Sequence, residues 1–321
     1  MILLAAGAFS AIGAIAVATV YRLLRPSLGK IAAAQRAHLL LWWCAAPALT
    51  GLTFTAVCLA PSVGSLIGLG ADHCLVHDDH HAHLCVLHVA VASLTPAGWG
   101  FALALLLWWL GSAAPQILRV LGESVRLRRL EGVAQPGHGG IRVVNTAVPV
   151  ALTAGIWAAS VYISKTLIDR LSPTQLRVVT EHEWAHVHRR DGLRKFMASL
   201  LCAMHFPGMR RKLMADLALA CEQACDAEAA ARVGDRIEVA EAIVAVERLF
   251  ALGHPAPATT WSFVGGNVEP RVEALLDEPP SAHSLAPRWV MVLAALGTLG
   301  LALVGDSFHH ETEALVGLLV R

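Results

Sequence analysis

Four long apolar runs divide the chain, at residues 2–21, 39–61, 89–111 and 289–305. Each is close to the roughly 20 residues that a helix needs to cross the hydrocarbon core of a bilayer. The pattern therefore predicts four transmembrane helices, three in the first part of the chain and one near its end. The first run has basic residues after it but none before it, which favours an uncleaved anchor over a signal peptide.

A fifth uncharged run, at residues 143–164, differs in composition from the other four. It contains Asn145, Pro149 and Gly155 and is rich in small and β-branched residues. This composition favours strands and turns inside a protein core over a continuous helix in lipid. We therefore predict that this run does not cross the membrane.

The distribution of charge sets the expected topology. The chain is 56% hydrophobic and 15% charged, as expected of a membrane protein, and its net charge of +1 gives no support to direct nucleic-acid binding. Basic residues cluster at 22–36 and 119–129, after the first and third runs, whereas the loop after the second run has no Lys or Arg. Because basic segments tend to stay in the cytosol, both termini are expected outside.

These assignments divide the chain into three parts. Residues 1–118 would hold three transmembrane helices with an outer loop at 72–88, residues 119–288 a cytosolic α+β domain, and residues 289–321 the fourth transmembrane helix and a short outer tail. The predicted fold class is a mainly α integral membrane protein. The stretch 253–280 is rich in Pro and Gly and is predicted to be a loop that returns to the fourth span.

The cytosolic domain contains EHEWAHVHRRD, which includes a His-Glu-x-x-His motif. A helix is predicted to begin after Ser172, with Pro173 in its first position. His182 and His186 are four residues apart and so share one face of this helix, where two imidazoles can bind one metal ion. Glu183 lies beside them and is predicted to be the general base of a hydrolase.

A second motif supplies a third ligand. In ACEQACD, Glu222 and Asp226 are also four residues apart on a predicted helix. Glu222 is predicted to complete a catalytic zinc site, and Asp226 to accept the second N–H of a ligand histidine. Cys221 and Cys225 share a helical face and are alternative ligands, but a His2Glu set is well attested for catalytic zinc.

Together these motifs resemble those of the gluzincin metallopeptidases, and the arrangement of spans resembles the BlaR/MecR-type sensor-transducers. In that family three spans precede a cytosolic zinc-protease domain and a fourth follows it. The likeness covers nearly the whole chain, including LSPTQLRVVTEHEWAHVHRRD, HFP and ACEQACD. It implies an edge strand within residues 141–164 that pairs with an extended substrate. It also implies Zn²⁺ as cofactor, with His182, His186 and Glu222 as ligands, Glu183 as general base and Asp226 behind the ligands.

The resemblance further implies a location and a substrate. The chain is expected in the bacterial inner membrane, with its protease domain in the cytosol, where it would cleave a BlaI-like winged-helix repressor and itself. Only residues 306–321 follow the fourth predicted span, so we expect neither the penicillin-binding sensor domain of the best-known members nor covalent β-lactam sensing.

Two other functions remain as alternatives. A membrane quality-control protease of the HtpX kind shares both motifs but has a different arrangement of spans. A non-catalytic metal receptor or a transporter belongs to a different class, although a transporter is expected to place ionisable residues inside its spans and the four predicted spans hold essentially none. Whether the chain forms a homodimer stays open.

The outer loop at 72–88 is a candidate metal sensor. Imidazole and carboxylate groups favour divalent transition metals, and the alternative is a solvated polar turn between two spans. Cys74 and Cys85 would face an oxidising compartment and could form a disulfide. The candidate ligands in the loop are His73, His77, His80, His81, His83 and His88.

Two histidines near the motifs have no assigned role. His188 follows His186 on another face of the predicted helix, and His205 is a candidate to stabilise the oxyanion of the tetrahedral intermediate. Structural packing is the simpler alternative for both.

Overall fold

A computed structural model describes residues 2–68, 94–252 and 268–277, together with residues 311, 312 and 314. The predicted fourth span, the His-rich loop and the ends of the predicted loop at 253–280 lie outside the described residues. The described chain is mostly helical and contains one small sheet. This agrees with the mainly α class and with an α+β domain in the second half.

Three long helices, α1 (Ile2–Leu28), α2 (Ala33–Leu66) and α3 (Pro96–Val133), precede the sheet. Each contains a stretch long and apolar enough to cross a membrane. The third helix begins at Pro96 rather than at the predicted residue 89, after the Thr95 side chain accepts a hydrogen bond from the backbone N–H of Gly98. Its 38 residues span about 57 Å, well beyond a hydrocarbon core of about 30 Å. The helix therefore continues without a break through the predicted domain boundary at 118.

The run at 143–164 forms strands, as predicted. Four strands make the sheet: β1 (Ala134–Pro136), β2 (Arg142–Val144), β3 (Ala151–Ala154) and β4 (Ser160–Ser164). Their order is β1-β2-β4-β3, with β2 and β4 parallel and the other two pairs antiparallel. Strand β3 is consequently an edge strand.

The two faces of the sheet pack on different helices. In β4, Val161 and Ile163 join the main core, whereas Tyr162 between them packs with Leu127 and Leu130 of α3. This alternation is the period of two expected for a strand that is covered on both sides. The end of α3 therefore lies over the sheet and is part of the domain.

Six helices complete the described domain, and their bounds are α4 Lys165–Arg170, α5 Pro173–Arg189, α6 Asp191–Leu201, α7 Pro207–Val233, α8 Arg236–Leu252 and α9 Val268–Leu276. Helix α5 begins as the sequence predicts. Ser172 caps it in a reciprocal pair with Gln175, and Pro173 takes the first position. The prediction of a loop across 253–280 is wrong for Val268–Leu276, which forms α9. Burial of Leu275 and Arg271 against α7 and α8 stabilises this short helix, a tertiary effect that its composition does not reveal.

A second apolar cluster joins the first two apolar helices to the domain. Val17 and Tyr21 of α1 and Leu40 of α2 pack against Leu213 and Leu217 of α7. Polar contacts lie beside it: Arg25 and Tyr21 bind the Asp216 carboxylate, and Arg36 donates to Gln223. The first two helices thus contact the same helix that carries Glu222.

Candidate metal centre and active site

Helices α5 and α7 bring three of the predicted ligands together. His182 and His186 lie one helical turn apart on α5, with ring centroids 4.9 Å apart. Glu222 of α7 faces both rings: its Oε2 lies 3.4 Å from His182 Nε2 and its Oε1 lies 3.5 Å from His186 Nε2. One ligand atom from each residue falls within 4.8 Å of the others.

Carboxylates hold the opposite side of each ring. Asp226 Oδ1 lies 2.8 Å from His182 Nδ1, and Asp191 Oδ2 lies 2.9 Å from His186 Nδ1. A carboxylate at Nδ1 keeps the proton on that nitrogen and leaves the Nε2 lone pair for a metal ion. Both imidazoles are therefore oriented with Nε2 toward Glu222.

The donor set fits a zinc ion. Two nitrogens and a carboxylate oxygen are common ligands of catalytic zinc, and tetrahedral bonds of about 2.1 Å place neighbouring ligand atoms about 3.4 Å apart. The separations of 3.4 Å from His182 Nε2 to Glu222 Oε2 and 3.5 Å from His186 Nε2 to Glu222 Oε1 are close to that spacing. The three side chains can hold zinc and leave a fourth coordination position open.

Glu183 is positioned by the edge strand. It is 2% exposed, and its Oε2 lies 2.8 Å from the hydroxyl of Thr153 on β3. The same hydroxyl lies 2.9 Å from the Glu183 backbone oxygen, so its single hydrogen can serve either acceptor. This contact ties the predicted general base to the strand at the sheet edge.

Charged side chains surround the predicted ligands. Lys195 Nζ lies 3.4 Å from Glu222 Oε1, and Arg271 Nη1 lies 3.6 Å from Glu222 Oε2. Burial raises the pKa of Glu222, but the charges of His186 and Lys195 outweigh burial and hold that pKa well below its usual value. Glu222 is consequently ionised at neutral pH, as its predicted role as a metal ligand requires.

Arg271 also fixes the acid behind His182. Its Nε and Nη2 lie 2.8 Å and 2.7 Å from the two oxygens of Asp226, and both side chains are almost fully buried. Burial raises the pKa of Asp226, but the Arg271 charge outweighs it and keeps that pKa below its usual value. A planar, two-bonded pair of this kind fixes the orientation of both groups.

A cavity of about 920 Å³ opens onto this site. Its lining includes His186 and Asp191, Thr153 of β3, and residues of α3 between Pro115 and Leu130. An extended peptide alongside β3 would pass through this space.

Two other histidines considered in the sequence, His188 and His205, lie away from the predicted ligands. His188 is half exposed and contacts Arg232 on the outer face of α5. His205 is 1% exposed and its Nε2 lies 3.1 Å from the Trp43 backbone oxygen of α2, which favours packing over an oxyanion role. The six histidines of the 72–88 loop lie outside the described residues.

Cys225 lies on the Nδ1 side of the His186 ring and not on the Nε2 side, where a metal ion would be bound. Its Sγ lies 3.2 Å from His186 Nδ1 and 3.4 Å from Asp191 Oδ2. Burial raises the pKa of this thiol to about 12, so it is protonated at neutral pH. The thiol therefore adds a weak donor to the Asp191 carboxylate.

Sequence reasoning assigned no role in the site to four residues that the structure places here. Asp191 follows the motif by five residues, a spacing that could have indicated a partner for His186. Thr153, Lys195 and Arg271 carry no local signal, because each reaches the site through tertiary packing.

Comparison with known proteins gives one match. The family model described as Peptidase family M48 matches residues 125–252, from the end of α3 to the end of α8. No curated protein and no solved structure matches the chain. M48 metallopeptidases are typically zinc-dependent, in agreement with the donor set of His182, His186 and Glu222. Residues 125–252 are therefore similar to the M48 zinc metallopeptidases, and this likeness supports a metallopeptidase domain in that part of the chain.

Proposed function

We propose that this protein is an integral-membrane zinc endopeptidase whose active site lies in the cytosol. The observation that supports this most strongly is the orientation of the two motif histidines. His182 and His186 both turn Nε2 toward Glu222, while Asp226 and Asp191 hold Nδ1. If these were ordinary acidic residues on an exposed helix, a carboxylate would not be expected at Nδ1 of both rings.

The chain would divide the chemistry among a few side chains. Zinc held by His182, His186 and Glu222 would lower the pKa of a water molecule and polarise the scissile carbonyl. Glu183 would remove the proton from the attacking water and pass it to the leaving amine. Thr153, through its bond to Glu183, would keep that carboxylate in place.

The substrate backbone would be bound by β3. This strand pairs with β4 along one edge, and its residues 152–154 line the cavity. An extended peptide could add to the other edge through main-chain hydrogen bonds, which would carry it past Thr153 and His186.

Membrane attachment suits a signalling role. Apolar helices near the N-terminus suggest membrane association, and basic residues at 22–36 and 119–129 favour a cytosolic domain. Helices α1 and α2 contact α7 through Leu40, Leu217 and the pair Arg36–Gln223, and Gln223 adjoins the ligand Glu222. A movement of α1 or α2 would thus act on α7 at Gln223, one residue from Glu222.

The substrate that fits this arrangement best is a BlaI-like winged-helix repressor, with the protein itself as a second substrate. Cleavage of a repressor would convert a signal at the membrane into transcription. Continuous packing of α1, α2 and α7 favours this transducing role over general quality control, because quality control requires no such coupling.

New protein N-termini in cells test this proposal. Cells expressing the wild-type chain would be compared with cells expressing Glu183→Gln, with and without added zinc or copper. The substitution keeps the shape of the side chain and removes the base. We expect new N-termini that require Glu183, including one in a DNA-binding repressor.

The control is Glu181→Gln on the same helix, which changes a partly exposed acid that pairs with Arg232 outside the site. It should leave the N-termini as in wild type. Identical profiles for wild type and Glu183→Gln under every condition would count against a peptidase. Cleavage spread over many misfolded membrane proteins would instead favour quality control.

A further inference from the structure

The cavity beside His186 is lined by more basic than acidic side chains. Five basic side chains line it, and Asp191 is the one acid among its described lining residues. Asp191 already binds His186 and Arg194. The basic residues are Arg119, Arg126, Lys195, Arg210 and Arg211.

Lys195 contacts Glu222 of the proposed metal centre, whereas Arg119 lies on α3, and Arg210 and Arg211 lie near the start of α7, about three helical turns before Glu222. Among the residues that the structure describes, no acidic side chain forms an ion pair with these three arginines. Arg210 donates to the Ser112 backbone oxygen of α3, which fixes its guanidinium at the wall.

These positive charges reinforce one another. Burial lowers the pKa of Arg210, and the nearby Arg119 charge lowers it further. Like charges gathered in a cleft with low-dielectric walls focus a positive potential into that cleft. The walls supply such surroundings, since Leu127, Leu152 and Phe196 also line the space. An anionic group that enters would gain more here than at an open surface.

We propose that the protein selects substrate segments whose acidic side chains enter the cavity between α3 and α7. The occupant is an extended, acidic peptide running along β3, with Asp or Glu residues against Arg119, Arg210 and Arg211. This inference names a substrate class and rests on the proposed peptidase function.

The position of the charges favours a peptide over lipid headgroups. The same cavity that holds the arginines also holds Thr153 and His186, so its occupant reaches the groups that would act on a peptide bond. In a strand paired with β3, alternate side chains would point to the same side. Acidic residues at alternate positions would then face the arginine wall together.

Matched peptide pools test the proposal on the full chain in nanodiscs. One pool carries Asp and Glu at several positions among random apolar residues, and the other carries Asn and Gln at the same positions. Binding is measured by fluorescence anisotropy with Glu183→Gln, which should not cleave the pools. Cleavage is measured with the wild-type protein. We expect the acidic pool to bind about tenfold more tightly at low salt, and this preference to shrink as salt screens the charges.

Two double variants separate the cavity from general surface charge. Arg119→Gln with Arg211→Gln removes two charges from the cavity, one on α3 and one on α7. Arg128→Gln with Lys212→Gln removes two charges from the same helices at positions that do not line it. The first double variant should bind both pools about equally, whereas the second should keep a preference of about tenfold for the acidic pool.

The outcomes distinguish this inference from the function on which it rests. Equal binding and cleavage of both pools would overturn the acidic preference and leave the peptidase standing. Tighter binding of the acidic pool without any cleavage would support the binding preference and contradict the peptidase. Equal binding of both pools, with phosphatidylglycerol enriched around the protein only when Arg119 and Arg211 are present, would assign the arginines to lipid and overturn the proposal.

Discussion

Asp191 Oδ2 lies 2.9 Å from His186 Nδ1, and this contact depends on a sharp turn between two helices. Arg190 ends α5 and precedes α6 with φ 53° and ψ 43°, in the left-handed region. The turn brings Asp191, the first residue of α6, back against a ring one turn inside α5. Burial raises the pKa of Asp191, but the hydrogen bond and charge of His186, together with the charges of Arg189 and Arg194, outweigh burial and hold that pKa below its usual value.

Asp191→Asn should weaken zinc binding while preserving the fold. The amide is neutral, so it polarises His186 less and orients the ring less firmly. Loss of a carboxylate behind a ligand histidine costs roughly tenfold to a hundredfold in metal affinity. Competition with a fluorescent zinc chelator measures the change. The exposed Asp169→Asn is the matched control, and equal affinities for both variants would contradict a role for Asp191 in the site.

Thr153→Val should lower activity without lowering zinc content. The substitution keeps the branched shape but removes the hydroxyl that lies 2.8 Å from Glu183 Oε2. A loosely held base should reduce kcat by about tenfold, with KM little changed. Thr153→Ser retains the hydroxyl and should restore most of the rate. Failure of serine to restore more activity than valine would argue that Thr153 acts only through packing.

Arg271→Met should destabilise the domain. It would leave the charge of buried Asp226 with His182 as its remaining ion-pair partner among the described residues, and breaking a buried ion pair in this way costs about 3–5 kcal/mol. Chemical denaturation in detergent measures the loss. Arg236→Gln is the control, because Arg236 contacts the end of α9 from an exposed position and should cost about 1 kcal/mol. Similar losses for both variants would contradict a central role for the Arg271–Asp226 pair.

The Asp216 contact predicts a pH dependence of stability. Burial raises the pKa of Asp216, but hydrogen bonds from Arg25 and Tyr21 outweigh it and lower that pKa. A carboxyl with a lowered folded pKa stabilises the protein above its unfolded pKa of about 3.9, and this stabilisation disappears as the pH falls through the folded pKa. Wild type should therefore melt at a higher temperature than Asp216→Asn at pH about 7, and the difference should shrink as the pH falls below about 4 and close once the pH is below the folded pKa. A difference independent of pH would contradict the ion pair.

Local patterns were enough to predict the main elements. The cap at Ser172, the spacing of His182 and His186, and the strand-forming composition of 143–164 are all determined within a few residues, and the structure reproduces the corresponding elements. The spacing within each motif also made it possible to expect Glu222 near the two histidines.

The features that could not be predicted from local sequence patterns depend on long-range packing. Helix α9 lies in a Pro- and Gly-rich stretch, and it forms because Arg271 reaches Asp226, 45 residues earlier in the chain. Thr153 reaches Glu183 across 30 residues for the same kind of reason. The contact of α1 and α2 with α7 could not be predicted from the sequence either, because an apolar helix has the same sequence pattern whether it faces lipid or protein.

Zinc-dependent cleavage by the purified chain tests the central claim most directly. The wild-type protein and Glu183→Gln would be stripped with a chelator, reloaded with zinc, analysed for metal content and assayed on an unfolded protein substrate. We predict that both bind about one zinc ion per chain, that wild type regains cleavage, and that Glu183→Gln is slower by about a hundredfold or more. Equal cleavage by the two proteins, or cleavage that survives removal of the metal, would contradict a zinc peptidase built on His182, His186 and Glu222.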